Sequence, residues 1–382
     1  MQTTRIIDAV ELPYVRSSEH DSATLICDAV LALLEKTGLS IVDIDGLGVA
    51  SFSLAPNRAI DIAWRLSMSL SWVHDEANGG VSALNMVQHA MAAIATGQAS
   101  AIVLVAGDSF DKAMFEQLIN GYNSTTQNYL APIGAASPNT LFSFLTKQYQ
   151  ELRGLKTEDF GHLVLQQRQW AALNPSALYR TPLSMEEYLA ACPVTDVLGL
   201  YDCVPVAAGA NAILLVRADH PLAQQGPSLA IRAFQAKHNY DNQLGTGLQT
   251  GLAQIKDHLW KQADLAPDSI DVCAIYDDYP VMVLAQLEDL GFFSADQIRP
   301  FIRDQIATQR FKLNTSGGQL SCGQAGTAGS MLGLVEVIQQ LTGQAAERQV
   351  VQPQYGLVTG YGMVQYRYCM CAAAMVLEVQ NV

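Results

Sequence analysis

Residues 314–329, NTSGGQLSCGQAGTAG, set five glycines among Ser, Thr and Cys side chains, between a short apolar segment at 310–313 and a long one at 331–341. In the longer segment Leu334, Val335, Ile338 and Leu341 fall on one helical face, and the shorter one has the composition of a strand. The pattern predicts a strand that turns into a helix through glycine. The first N–H groups of such a helix have no internal partner and present the positive end of the dipole, which suits an anion or a developing oxyanion. Glycine lets a ligand approach those donors closely, although a tight turn with small-residue packing is the plainer alternative.

The chain holds a second copy of this arrangement. Asn78, Gly79, Gly80, Val81 and Ser82 precede a segment with Leu84, Val87, Met91 and Ile94 at helical spacing, then Gly97 and a strand over 101–106. The later copy runs glycine turn, helix, Gly343 and a strand over 355–359. Matching order in two halves predicts an internally duplicated α/β fold with the glycine turns at equivalent helix starts.

Between and around these copies, strands are expected at 5–11, 46–51, 208–217, 230–234 and 272–276. Helices are expected at 22–36, 60–70, 248–263 and 283–290, the last ended by Gly291 as a C-cap. Regular alternation lapses over about 110–200, which reads as an inserted lid or binding region. Gln224-Gln225-Gly226-Pro227 marks the linker, so the expected halves are 1–222 and 223–382.

With 382 residues, 49% hydrophobic and 15% charged, the chain can bury a large core. A formal charge of −14 opposes phosphate backbones, and no basic stripe with interleaved aromatics offsets it, so nucleic acid is not an expected partner. Seven cysteines fit neither a disulfide framework nor a metal spacing, and seven histidines form no HxH or HExxH pattern. No metal is expected. No apolar run reaches membrane-spanning length, and the N-terminal residues lack a signal-peptide pattern, so a cytoplasmic location with no membrane span is expected.

Four separated motifs, in order, resemble the thiolase superfamily, in particular its sterol-carrier-protein-type branch. The stretch at 314–329 is similar to the thiolase turn that reads asparagine, small residues, Gly-Gly and then Gly-His-Pro. Tyr276-Asp277-Asp278-Tyr279 matches the motif read Asn-Glu-Ala-Phe in ordinary thiolases and His-Asp-Cys-Phe in the sterol-carrier-protein type. Residues 287–293, LEDLGFF, and Leu200-Tyr201-Asp202-Cys203 with Pro205-Val206 and Gly209-Ala210 also resemble that branch. The resemblance implies a thiolase-like five-layered αβαβα subunit, internally duplicated and dimeric.

The expected catalytic side chains are missing. A thiolase holds a thiolate at a helix start to take up the acyl group, and counting back from Gly97 places that position at Gly80. The histidine of Gly-His-Pro is Gln324. The C-terminal Cys-x-Gly turn appears as Val358-Thr359-Gly360-Tyr361-Gly362, without cysteine. Cys322, two residues before Gln324 where the family carries Lys or Glu, is a candidate displaced nucleophile against a packing role. The ionisable groups left near the site are Tyr276, Tyr279 and Tyr361. A phenol of ordinary pKa about 10 donates a proton or hydrogen bond at neutral pH; a core role for Tyr279 is the simpler expectation.

Cysteine-less superfamily members include steroid side-chain retro-aldolases, which act on β-hydroxy acyl-CoA thioesters and associate with a small OB-fold, zinc-ribbon protein. The resemblance therefore implies aldol-type cleavage or formation of a C–C bond in an acyl-CoA thioester, with no covalent cysteine intermediate. Coenzyme A enters as part of the substrate, with no bound cofactor. The implied catalytic residues are Tyr361, Tyr276 and Gln324, with Cys322 for the displaced-nucleophile case. Gly80, Gly317, Gly318, Gly360 and Gly362 would line the oxyanion site. Two alternatives stand beside this one: an acyl-CoA acyltransferase using Cys322 or a partner's cysteine, and a non-catalytic thiolase-like subunit of a hetero-complex.

Overall fold

The computed structural model of the chain describes residues 4–110, 112–121, 123–240, 246–363 and 370–380, with the backbone alone for 112 and 120. The first half runs β1 (Thr4–Glu11), α1 (Ser22–Thr37), β2 (Gly46–Ala50), α2 (Arg58–Arg65), β3 (Trp72–Glu76), α3 (Ser82–Ala95) and β4 (Ala101–Ser109). An inserted region carries α4 (Lys112–Asn120), α5 (Pro138–Arg153), α6 (Thr157–Ala172) and α7 (Met185–Leu189) before β5 (Ala208–Arg217) closes the half. The second half runs β6 (Ser228–His238), α8 (Leu252–Ala263), β7 (Val272–Ala274), α9 (Pro280–Leu290), α10 (Ile298–Phe301), α11 (Gly318–Cys322), α12 (Gly329–Leu341), β8 (Tyr355–Gly362) and β9 (Cys371–Gln380). We place the division between halves at the Pro221–Gln224 turn, between β5 and β6.

Among the described residues, nine strands form one sheet in the order β3-β2-β4-β5-β1-β6-β9-β8-β7. The duplication is visible in that order. In the first half β2 and β4 are parallel, β4 and β5 antiparallel, and β5 and β1 antiparallel. In the second, β7 and β8 are parallel, β8 and β9 antiparallel, and β9 and β6 antiparallel. Within the sheet, β1 of the first half pairs with β6 of the second, Arg5 with Ala230 and Ile6 with Leu229.

Strand alternation builds five layers from this sheet. On β4, Val103 and Val105 face the outer helices α1 and α2, whereas Ile102, Leu104 and Ala106 face a central layer of α3 and α12. Val358 and Met375 of the second half cover the other side of that central layer, and Leu357 and Val376 face α8 and α9. The result is the thiolase-like αβαβα fold that the motifs imply. The two central helices start side by side, where the Ala83 N–H donates to Ser330 Oγ at 3.1 Å. Among the described residues, no helix is long and apolar enough to cross a membrane.

Two local expectations are corrected, and one strand, β3, was not foreseen. Residues 310–313 form no strand and contribute one bridge, Leu313 with Cys273, parallel as β3 is to β2. The stretch 314–329 is two turns rather than one, because α11 and a 3-10 turn at Gly326–Ala328 intervene before α12. Strand β3 lies within a segment that reads WVHDE, whose exposed face hides the strand from a search for apolar alternation. The cysteine pair at 369 and 371 is described only at Cys371.

Candidate active site

The chain after β7 is held by side chains rather than by a strand partner. Asn314, itself at φ 45°, accepts from the Ile275 N–H at 2.7 Å and donates to the Ile275 carbonyl at 2.9 Å. The Tyr276 N–H donates to Thr359 Oγ1 at 3.0 Å, and Gln286 Nε2 donates to the Tyr276 carbonyl at 2.8 Å. These straps fix the main chain that carries Tyr276, whose side chain lines a cavity of about 270 Å³. Pro280 at the first turn of α9 then ends the segment, its missing N–H costing nothing there.

Gln324 reaches the same point from the glycine stretch. Its backbone pairs with residues 205–207, donating to the Pro205 carbonyl at 2.8 Å and accepting from the Ala207 N–H at 3.0 Å. Its amide donates to Asp278 Oδ1 at 2.7 Å and to the Tyr276 hydroxyl oxygen at 3.2 Å. The Tyr276 hydroxyl in turn lies 3.3 Å from Asp278 Oδ2 and donates to it. Gly80, Gly362 and Tyr361 line the cavity beside this trio. The remaining wall is mostly apolar, with Phe52, Phe115, Leu118, Phe142, Val206 and Met282.

Gly80 explains the missing cysteine. A Cβ there would lie 2.2 Å from Tyr276 Cζ and 2.2 Å from the Tyr361 carbonyl oxygen. The Tyr276 ring fills the space that a nucleophile at position 80 would need.

Burial holds the Tyr276 hydroxyl well above its ordinary pKa, and the neighbouring Asp278 charge raises it further, so the group is a neutral phenol near pH 7. Burial also pushes Asp278 up to about 7, against the opposing hydrogen bonds from Tyr276 and Gln324. Sequence reasoning passed over Asp278. Its signal is a carboxylate at the motif position where the family forms quoted above carry Ala or Cys.

Of the residues singled out from the sequence, Tyr276, Tyr361, Gln324, Gly80 and Gly362 are brought together on one cavity. Tyr361 projects from the outer face of β8 with Leu357. Cys322 goes elsewhere. It is fully buried in a small cluster with Tyr14, Ala171 and Leu332, its thiol donates to the Ser316 carbonyl at 3.1 Å, and burial holds its pKa well above the ordinary value. As a buried protonated thiol away from the cavity wall it is not placed to act as a nucleophile. Tyr279 packs face to face on Phe142, with its hydroxyl donating to Asn139 Oδ1 at 2.6 Å.

The expectation that Gly317, Gly318 and Gly360 line the site is also corrected. The N–H donors of that turn are already used inside the protein: Asp277 accepts from the Gln319 N–H at 2.9 Å, the Leu320 N–H at 3.4 Å and Gln167 Nε2 at 2.7 Å. A Cβ at Gly318 would lie 2.1 Å from Asp277 Oδ2, so the glycine there makes room for this internal cap. Gly317 packs on Ala171 and Gly360 on Val81. At the next turn the Thr327 N–H donates to Asp108 Oδ2 at 2.9 Å. The N–H donors foreseen as open on the glycine stretch are taken up by the chain's own carboxyl groups, Asp277 and Asp108.

With the geometry established, likeness to known proteins is informative. A family model described as thiolase C-terminal domain-like matches residues 236–378. A steroid side-chain-cleaving aldolase of Thermomonospora curvata is 28% identical over 354 residues, covering 88% of this chain and 89% of its own. A 17-hydroxy-3-oxo-4-pregnene-20-carboxyl-CoA lyase of Mycobacterium tuberculosis is 29% identical over 366 residues, covering 91% and 93%. The solved structure of an Ltp2-ChsH2(DUF35) aldolase superposes with a TM-score of 0.82 at 24% identity, covering 99% of this chain and 98% of that one. With Gly80 where a nucleophile would be expected and the Tyr276 ring in the space beside it, the chain carries a thiolase C-terminal domain-like region and is similar over most of its length to a steroid side-chain-cleaving aldolase and an acyl-CoA lyase.

Proposed function

We propose that this protein breaks, or in reverse forms, a C–C bond in a β-hydroxy acyl-CoA thioester by aldol chemistry without a covalent intermediate. The observation that carries the reading is the Tyr276 ring standing in the volume a nucleophile at position 80 would occupy. Retro-aldol cleavage needs no nucleophile. The β-hydroxyl loses its proton, the bond between the α and β carbons breaks, and its electron pair moves into the thioester as an enolate.

In this reading the Tyr276 hydroxyl faces the substrate's β-oxygen and exchanges its proton. The backbone at Gly80 is the part of the wall that a thioester oxygen approaches, and donors there stabilise enolate charge more strongly than water does. The apolar wall suits a bulky apolar acyl group, in keeping with the steroid and pregnene substrates in the names of the two relatives. Coenzyme A is carried on substrate and product as their thioester handle rather than as a resident cofactor. The fully buried, protonated Cys322 gives no support to an acyltransferase reading.

The test is Tyr276→Phe with a β-hydroxyacyl-CoA carrying a bulky ring system at the β-carbon. General acid–base help is worth roughly 10²–10⁴-fold, so kcat is expected to fall by about that factor with folding intact. An unchanged kcat would remove Tyr276 from the mechanism. A wild-type protein that binds the thioester and cleaves none of it would favour a non-catalytic subunit.

Assembly is part of the proposal. β3 is an edge strand that pairs on one side with β2, with Val73 exposed on it and Trp64 of the adjoining α2 79% exposed. An open edge beside exposed apolar side chains invites pairing, and a second copy of the chain is the expected occupant. A small OB-fold, zinc-ribbon protein is the further expected partner, by analogy with the ChsH2(DUF35) component that the structural neighbour carries in its name. Sedimentation should give a dimer at micromolar concentration and a shift to monomer for Val73→Pro. A wild-type monomer would overturn the pairing.

A further inference from the structure

We propose that Asp278 is the proton acceptor for the reaction, receiving the Tyr276 hydroxyl proton on Oδ2 as Tyr276 takes the proton of the substrate's β-hydroxyl. This rests on the aldol reading and adds the group that reading lacks. A neutral phenol held well above its ordinary pKa cannot by itself remove a hydroxyl proton near neutral pH. Tyr276 must hand on its own proton as it accepts another. The geometry offers one recipient, since the Tyr276 hydroxyl already donates to Asp278 Oδ2 at 3.3 Å.

Gln324 orients the pair by donating to Asp278 Oδ1 at 2.7 Å and to the Tyr276 oxygen at 3.2 Å, and the Tyr276 hydroxyl donates to the other carboxylate oxygen, Oδ2. Among the described residues lining the cavity, Asp278 is the one carboxylate, and no Lys, Arg or His is present. None of the groups facing it from the packed elements is a cationic side chain. Tyr276 and Tyr279 lie on its own segment, Gln324 and Gln319 on the glycine stretch, Tyr361 on β8, and Cys203 across the cavity. The neighbouring Asp277 points instead into the N-terminus of α11.

The step balances without a co-reactant. The β-hydroxyl proton passes to Tyr276 Oη and the phenolic proton to Asp278 Oδ2, while the α–β bond pair becomes the enolate. The β-carbon leaves as a ketone or aldehyde, and the proton stored on Asp278 returns through Tyr276 to the α-carbon. The negative charge thereby moves from the carboxylate to the enolate, and the cavity holds one anion throughout. A carboxyl group whose pKa lies about 7 is matched to taking and returning a proton near neutrality.

The experiment is Asp278→Asn, compared with wild type for the pH dependence of kcat on the β-hydroxyacyl-CoA and for thioester binding by intrinsic fluorescence. Because the acceptor must be ionised, wild-type kcat is expected to rise with pH through about 7 and then level. Asp278→Asn is expected to lower kcat by roughly 10²–10⁴-fold and to abolish that limb while binding changes by only a few-fold. An Asp278→Asn protein with the wild-type rate and limb overturns the proposal and leaves the aldol reading standing. A wild type that cleaves no β-hydroxy thioester overturns both.

Discussion

Gly80→Cys is expected to yield an unstable protein rather than a thiolase. The new Cβ would sit 2.2 Å from Tyr276 Cζ on one side and 2.2 Å from the Tyr361 carbonyl oxygen on the other, both far inside contact distance. The second of these is backbone in the middle of the second half-sheet, paired with Ala372 of β9, and cannot retreat cheaply. Tyr276 is no freer, because its main chain is tied to Thr359 and Gln286. Overpacking a well-filled core costs about 1–3 kcal/mol, and here relief is blocked on both sides, so a loss of about 3 kcal/mol or more is expected. Pairing Gly80→Cys with Tyr276→Ala should restore part of that loss, since the second change empties the volume that the first needs. Denaturant melts of the two single variants and the double variant measure the coupling. A Gly80→Cys protein of wild-type stability that takes up an acetyl group from acetyl-CoA, read by intact mass, would show that the site is a thiolase site merely lacking its thiol.

Why some of this was legible in the sequence and some was not follows from the range over which each feature acts. The duplicated fold shows in local signals. Helical spacing along α3 and α12, with a glycine turn before each, is a short-range pattern, and both helices form where that pattern puts them. The loss of the cysteine at Gly80 is likewise a one-residue fact. By contrast, the fate of the glycine-turn N–H groups depends on partners far along the chain. Asp277 meets the Gln319 N–H from 42 residues away, and Asp108 meets the Thr327 N–H from 219. Both acids arise at strand ends that look unremarkable in the sequence, so the turns read as open anion sites when the fold had already filled them. Asp278 was missed for a related reason. Its meaning comes from Gln324, 46 residues on, and from the absence of any cationic side chain lining the cavity among the described residues. The Tyr276 ring could be named as a candidate from its motif, but only the space at Gly80 shows what it replaces.

Asp108→Ala is expected to be the most damaging single change outside the Tyr276–Gln324–Asp278 trio, because that carboxylate ties the two halves together at the cavity wall. It is fully buried at the end of β4 and accepts from Ser51 Oγ at 2.7 Å, the Ser53 N–H at 3.0 Å, Ser53 Oγ at 2.7 Å and the Phe52 N–H at 3.1 Å. From the second half it accepts from the Thr327 N–H at 2.9 Å and Thr327 Oγ1 at 3.0 Å. The chain has shaped itself to this group: Gly326 stands with φ 53°, and a Cβ there would lie 2.3 Å from Asp108 Oδ2. Alanine would strand these donors in a buried volume. Each buried polar group left unpaired costs about 1–3 kcal/mol, and partial relaxation keeps the sum below simple addition, so a loss on the order of 4 kcal/mol is expected. Asp108→Asn keeps the shape and half the acceptor capacity and should fall between alanine and wild type. The consequence for activity follows from position. Phe52 and Gly326 both line the cavity, and Gln324 lies two residues before Gly326, so loosening Asp108 frees the wall that aims the Gln324 amide at Tyr276 and Asp278. Urea titration of the three proteins decides the matter. An unfolding free energy for Asp108→Ala within about 1 kcal/mol of wild type, from the midpoint at unchanged slope, would mean that the carboxylate does not hold the halves at this wall and that the straps on Tyr276 suffice alone.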